Sequence, residues 1–157
     1  MSSKSDPDPL VVLQWATELR PLPGVDDFQK WVALALEGQL EQGEVAIRLV
    51  DHEESAQLNT RYRGKQGSTN VLSFPMNLPS DVGLSLLGDI VICAPVVVAQ
   101  AAEQGKSADA HWAHLTIHGV LHLIGYDHVL PDDAEQMERR EIAILKRLGY
   151  PDPYDEY

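Results

Sequence analysis

Three histidines in the run HGVLHLIGYDH have the types and spacing to bind one metal ion. His118 and His122 are spaced i, i+4, so one helical turn places both imidazoles on the same face. Gly125 can end that helix in a left-handed conformation that other residues resist, and the chain can then turn back so that His128 closes on the first two. Three neutral imidazoles leave one tetrahedral position open, which is the arrangement of a catalytic zinc rather than a structural one.

The residue after the first histidine decides which chemistry such a metal would support. The histidine spacing is that of the metzincin protease motif, H-E-x-x-H-x-x-G-x-x-H, but Gly119 stands where those proteases carry their glutamate base. We therefore predict one metal ion per chain without proteolytic activity. Zinc suits the three imidazoles, although copper or nickel would accept the same ligands. Asp127 is expected to serve in the turn, or to hydrogen-bond a ligand, rather than to replace the missing base.

The helix that must position these ligands contains two more histidines. Ser107 is a suitable N-cap, and His111 and His114 extend the stripe of His118 and His122 along one face. His114 has three open roles: a hydrogen-bond partner of a ligand, a substrate contact, or part of a polar face that borders the cleft. His111 is expected to belong to that polar face. The residues on the other faces are expected to pack in the core: Trp112, Leu115, Val120 and Leu121.

The rest of the chain predicts strands interleaved with helices, then three helices in succession. Alternating or short apolar runs indicate strands at 10–15, 45–49, 71–74 and 87–93. Caps and helical spacing indicate the other helices at 26–41, with Asp26 as N-cap, and at 53–62, 95–104 and 131–148. These elements predict an α+β fold in which a small mixed β-sheet of about four strands packs with about five helices. The metzincin-like three-histidine site would lie at the end of the long central helix.

Composition and charge limit the partners of this chain. Its 157 residues suit one domain spanning 1–157, with flexible ends at 1–9 and 151–157. The net charge of −12 disfavours nucleic acid when taken alone. The segment 58–70 differs, because it holds Arg61, Arg63 and Lys65 and no acidic residue. It is either a positive patch that could face phosphate or an ordinary solvated loop.

The same composition bears on location. No run approaches the roughly 18 apolar residues of a membrane span, and no secretory signal is visible. The single cysteine, Cys93, lies in an apolar run and is expected to be a buried thiol. A chain without cysteine pairs fits a reducing cytoplasm, so we expect a cytoplasmic protein without a membrane partner.

Several segments together resemble one known family. HGVLHLIGYDH is similar to the signature of the YbeY family of bacterial metal-dependent endoribonucleases. LNTRYRGKQGSTNVLSFP resembles the family's second motif, and LLGDIVIC its glycine-aspartate strand. The last helix, with Met137 and Glu141, fits the family's C-terminal region. The resemblance covers roughly residues 45–148, and it departs from the family at Asn70, where many relatives carry aspartate.

The resemblance implies the function and its residues. His118, His122 and His128 would bind the metal, usually taken as zinc, and Arg63 would be the functional arginine of the cleft. The expected substrate is single-stranded RNA, and the expected work is processing of the 16S ribosomal RNA 3′ end and ribosome quality control. The small ribosomal subunit is then a partner and DNA is not. In chemical terms, Arg63 offers a planar fork of donors to a phosphate, with Lys65 and His114 as weaker substrate contacts.

Metal-activated hydrolysis of single-stranded RNA is the leading hypothesis, with Arg63 and His118 as the catalytic residues. The sequence does not choose between water and the 2′-OH of RNA as the nucleophile. One alternative is a ribosome-assembly factor whose metal is structural and whose RNA contacts are not catalytic. A metalloprotease is the less favoured alternative, because Gly119 removes its base.

Overall fold

A computed structural model describes residues 10–39, 43–76, 86–127 and 129–154, and within them the chain forms four strands and five helices. The predicted α+β class is therefore confirmed. The strands are β1 (Leu10–Trp15), β2 (Glu44–Val50), β3 (Val71–Pro75) and β4 (Leu86–Cys93). The helices are α1 (Val25–Leu36), α2 (His52–Arg63), α3 (Ala94–Gln104), α4 (Ala108–Leu123) and α5 (Pro131–Arg147).

The sheet is mixed, with the strand order β1-β2-β4-β3. β1, β2 and β4 run parallel, whereas β3 pairs antiparallel with β4 and forms an edge. Pro75, which cannot donate a backbone hydrogen bond, ends this edge strand. The large core lies on one side of the sheet, where α1 and α4 pack on the inward side chains of β2 and β4. A smaller cluster lies on the other side, under α2.

The sequence predicted α1 with errors at both ends. Asp26 is not the N-cap, because Gly24 occupies that position with extended backbone and its N–H donates to the Asp27 carboxylate at 3.0 Å. Both acidic residues instead lie in the first turn, where they favour the positive end of the helix dipole. The helix ends at Leu36 rather than near residue 41, because Gly38 turns the chain with φ 77°. Residues 40–42 lie outside the described residues.

The central helix α4 forms as predicted. The Ser107 hydroxyl accepts the backbone N–H of Ala110 at 3.1 Å and so caps the helix. At the other end, Gly125 adopts φ 107°, which a residue with a side chain rarely adopts. The predicted packing residues are all buried: Trp112, Leu115, Val120 and Leu121. This helix therefore has a fixed rotation about its axis, which decides where its histidines point.

Some predictions fall on other parts of the chain. Of the predicted flexible ends 1–9 and 151–157, residues 1–9 and 155–157 lie outside the described residues, as does most of the loop predicted between β3 and β4. Residues 151–154 are described, and Tyr154 contacts the histidine face of α4. No helix among the described residues combines the length and apolar content that a membrane crossing requires.

Candidate active site

The four histidines of α4 form one stripe along the helix. Neighbouring ring centroids are 6.4 Å apart for His111 and His114, 6.1 Å for His114 and His118, and 4.7 Å for His118 and His122. Helical spacing alone predicted this stripe. The third predicted ligand, His128, lies outside the described residues, so its place in the metal site stays a prediction.

A cleft of about 660 Å³ brings the second half of the stripe together with the predicted arginine. His118 and His122 line it from α4, and Arg63 lines it from the last turn of α2. Gly64, in a left-handed conformation with φ 67°, ends α2 directly after Arg63 and leads the chain toward β3. The remaining wall consists of Tyr62 of α2 and the segment 69–75, which includes β3.

The other two predicted substrate contacts do not line this cleft. Lys65 is exposed in the loop after α2. His114 lines a second cavity of about 890 Å³, which also contains His111, Lys106 and Tyr154. The His114 ring bonds the same carboxylate as the His118 ring, so it reaches the predicted ligand through Glu141, and its role stays a prediction.

That shared partner is Glu141 of α5, whose side chain is fully buried. One carboxylate oxygen accepts Nδ1–H of His118 at 2.7 Å, and the other accepts Nε2–H of His114 at 2.7 Å. The Tyr154 hydroxyl also donates to Glu141. Burial alone would raise the pKa of this carboxyl, but the two imidazoles outweigh burial and lower the pKa to about 2. Glu141 is therefore a deprotonated acceptor.

Glu141 had no role predicted from the sequence, although a signal was present. The buried residues of α5 are Met137, Glu141, Ile144 and Leu145, spaced as one helical face. A carboxylate in the middle of an apolar stripe needs hydrogen-bond donors from a neighbouring element, because an unpaired buried charge is costly. Its position in the stripe could thus have indicated a functional partner.

The side chains present fit a metal ion with nitrogen ligands. A carboxylate that accepts Nδ1–H of His118 fixes the tautomer in which Nε2 carries the electron pair, and metal-binding histidines usually have such a partner. His114, His118 and Glu141 also place ligand atoms within 4.8 Å of one another and could themselves hold a metal. In that second arrangement the metal would replace the hydrogen bonds between these groups.

Gly119 faces the sheet rather than the cleft. A Cβ atom there would lie 3.1 Å from two carbon atoms of Ile90 and 3.3 Å from the Ser73 hydroxyl, which itself donates to the Gly119 carbonyl. Glycine thus permits α4 to pack closely on β3 and β4. A glutamate at this position would have to displace Ile90 and Ser73 and would face the sheet, so it could not serve as a base in the cleft.

The remaining polar candidates have local partners. His111 is buried, and its Nε2 lies 2.9 Å from the Gln100 side-chain oxygen, which also accepts from Asn70. Asp127 accepts the backbone N–H of Val129 at 3.1 Å, so it serves in the turn as predicted. Cys93 is buried as predicted, and burial raises the pKa of its thiol.

Comparison with known proteins decides the family. The family model described as Endoribonuclease YbeY matches residues 21–149. The chain belongs to the YbeY endoribonuclease family. A Nitrosococcus oceani protein named Endoribonuclease YbeY is 54% identical over 92% of this chain and 96% of its own length. A Methylococcus capsulatus protein of the same name is 58% identical over 86% of this chain and 89% of its own length.

A solved structure supports the fold of this YbeY family member. The solution structure of TM1509 from Thermotoga maritima matches 92% of this chain and all of its own chain, with a TM-score of 0.57 and 22% identity. At that identity the match concerns the fold alone. The predicted family is thus confirmed, and so is the predicted enzyme class, an endoribonuclease.

Proposed function

We propose that this chain cleaves phosphodiester bonds of single-stranded RNA at one zinc ion held by His118, His122 and His128. The reaction would serve cytoplasmic maturation of ribosomal RNA, at the 16S 3′ end, and ribosome quality control on the small subunit. One observation carries the proposal: Arg63, His118 and His122, from two separate elements, line the same cleft. A side chain suited to phosphate and two side chains suited to a metal ion thus line one cleft, which supports the proposal.

The residues of the cleft divide the work between them. Zinc, when bound, supplies a Lewis acid that polarises the phosphate and lowers the pKa of a water molecule. Arg63 presents a planar guanidinium that can donate two parallel hydrogen bonds to the scissile phosphate and stabilise the charge that develops on it. Lys65, exposed outside the cleft, can add only a weaker attraction for the RNA backbone.

An exposed aromatic ring at the same cleft supports the preference for single strands. Tyr62 is 57% exposed and lines the cleft beside Arg63. Its ring contacts Phe74 edge-to-face at a centroid distance of 5.2 Å, and the Arg61 guanidinium lies 5.4 Å from its centroid. Aromatic rings of this kind stack on unpaired bases, which a duplex does not offer.

The test measures metal content and cleavage on the same protein. Elemental analysis of untagged protein should give about one zinc per chain. Cleavage of a defined single-stranded RNA should fall on the order of a hundredfold to a thousandfold in Arg63→Glu. Arg139→Glu makes the same charge change on α5, where the arginine is exposed and pairs with Glu135, and it should retain the wild-type rate. Circular dichroism checks that both variants fold.

Two outcomes would contradict the proposal. Cleavage by Arg63→Glu at the wild-type rate would remove the arginine from the reaction. Binding of RNA without cleavage by metal-loaded, nuclease-free wild type would favour the assembly factor instead. The product ends separate the nucleophiles, because a 2′,3′-cyclic phosphate requires attack by the 2′-OH.

A further inference from the structure

Glu141 combines features that an ordinary core residue does not need. Its side chain has no exposed surface, yet each of its oxygens accepts a hydrogen bond from a different histidine of α4. Its neighbours on the buried face of α5 are apolar. Placing a carboxylate there requires donors that offset the cost of removing the charge from water, so an apolar residue would be the simpler solution for stability alone.

We propose that Glu141 is a positioning residue: it holds the His118 ring by accepting Nδ1–H, so that Nε2 faces and binds the metal. The inference rests on the proposed function, because it takes His118 as a metal ligand. The direct support is the 2.7 Å contact between His118 Nδ1 and Glu141. A carboxylate is required rather than an amide, since both oxygens accept and an amide offers only one acceptor.

The second oxygen of Glu141 is held by two further donors, His114 and Tyr154. Tyr154 comes from the segment after α5, and its ring packs edge-to-face on His114 at a centroid distance of 5.4 Å. Within the segment, Asp152 accepts the Tyr154 backbone N–H at 2.8 Å, and the Lys106 ammonium donates to the Pro153 carbonyl at 3.4 Å. We infer that His114 and Tyr154 fix the rotamer of Glu141 and thereby the ring of His118.

A competing arrangement makes Glu141 a direct ligand together with His114 and His118. The two arrangements differ in what they require of His114. If His114 is a ligand, its removal should weaken zinc binding about as much as removal of His118. If it only supports Glu141, its removal should weaken zinc binding much less. The substitution His114→Gln therefore separates them.

The experiment measures zinc affinity by competition with a chromophoric chelator. Glu141→Gln should weaken zinc binding by about 10- to 100-fold, as loss of such a partner does in other metal sites. Tyr154→Phe and His114→Gln should each weaken it by less than about tenfold. Glu135→Gln is the matched control, because it makes the same substitution at an exposed position of α5, and it should leave the affinity unchanged.

A second measurement reads the positioning directly, in metal-free wild-type protein. Nitrogen-15 NMR of the imidazoles should find His118 in the Nδ1–H tautomer, and Tyr154→Phe, which keeps the carboxylate, should retain it. An Nε2–H tautomer in the wild type would overturn the proposal, even if Glu141→Gln proved too unstable to study. Wild-type zinc affinity in Glu141→Gln would also overturn it, and a loss in His114→Gln as large as in His118→Ala would favour direct ligation.

These outcomes are distinct from failure of the proposed function. The tautomer is measured without metal and without RNA. A wild-type protein that binds zinc through a Glu141-dependent site but does not cleave RNA would refute the nuclease proposal and leave the positioning role standing.

Discussion

The two halves of the α4 histidine stripe use the same residue type on the same helical face but have different surroundings. His111 and His114 are enclosed by α3, α5 and the segment that carries Tyr154. His118 and His122 line the cleft that contains Arg63. Helical spacing gives all four side chains one direction, whereas the neighbouring elements decide whether an imidazole is packed in the interior or lines the cleft.

His111 and His118 are the clearest contrast. Burial, assisted by nearby Lys106 and His114, lowers the pKa of His111 to about 4, so this ring is neutral and belongs to the packed interior. His118 keeps 20% of its side chain exposed and is hydrogen-bonded to a carboxylate. The surroundings of His118 fit the proposed role as a metal ligand, whereas those of His111, beside an amide in the interior, fit a structural role.

The largest effect should come from substitutions that remove one histidine from each half. We expect His118→Ala to reduce RNA cleavage on the order of a thousandfold or more, about 4 kcal/mol of activation free energy. His111→Gln should stay within about threefold of the wild type, because the introduced amide could still donate to Gln100 and does not face the cleft. Single-turnover cleavage measures both variants, with the zinc content of each determined alongside. Equal losses in the two variants would end the distinction between the two halves.

The opposite face of α4 provides the next test. Gly119→Glu would restore the sequence of the protease motif, yet it forces a charged side chain against Ile90 and Ser73. We expect a loss of about 3 kcal/mol or more in the free energy of unfolding, from overpacking and burial of a charge. Ala108→Glu is the matched control in the exposed first turn of the same helix, where an acidic residue is tolerated. Urea denaturation compares them, and a Gly119→Glu protein of wild-type stability that cleaves casein would revive the protease alternative.

Local sequence patterns predicted the helices and strands and the part of the candidate site that α4 contributes. Ser107, the histidine spacing and Gly125 are neighbours in the chain, so their geometry follows from helix physics and was predicted correctly. The beginning of α1 was predicted wrongly, because two adjacent aspartates suit both a cap and a first turn. The N-cap is the residue with extended backbone directly before the helix. The structure shows that this residue is Gly24.

The contacts between distant segments were harder to predict. Arg63 was associated with the histidines through a family resemblance, since nothing in helical or strand periodicity indicates that the end of α2 and the middle of α4 share a cleft. The bond between Glu141 and His118 spans 23 residues and depends on how α5 packs on α4. Periodicity locates the buried face of each helix, but the register of one face against another depends on the packing of side chains in the assembled core.

The smallest predicted effect concerns the enclosed half of the stripe and appears on acidification. The pKa of His111 is lowered from 6.5 to about 4 in the folded protein, so the unfolded chain takes up this proton first as the pH falls. Stability from this residue is therefore complete above about pH 6.5 and is lost as the pH falls toward 4. Between about pH 7.5 and about pH 5 the loss should be about 2 kcal/mol in the wild type. Urea denaturation at both pH values measures the fall in the free energy of unfolding. In His111→Gln this fall should be smaller by that amount, because the amide does not titrate. Equal pH dependence in the two proteins would mean that His111 is not held neutral, and the contrast with His118 would then rest on the cleft alone.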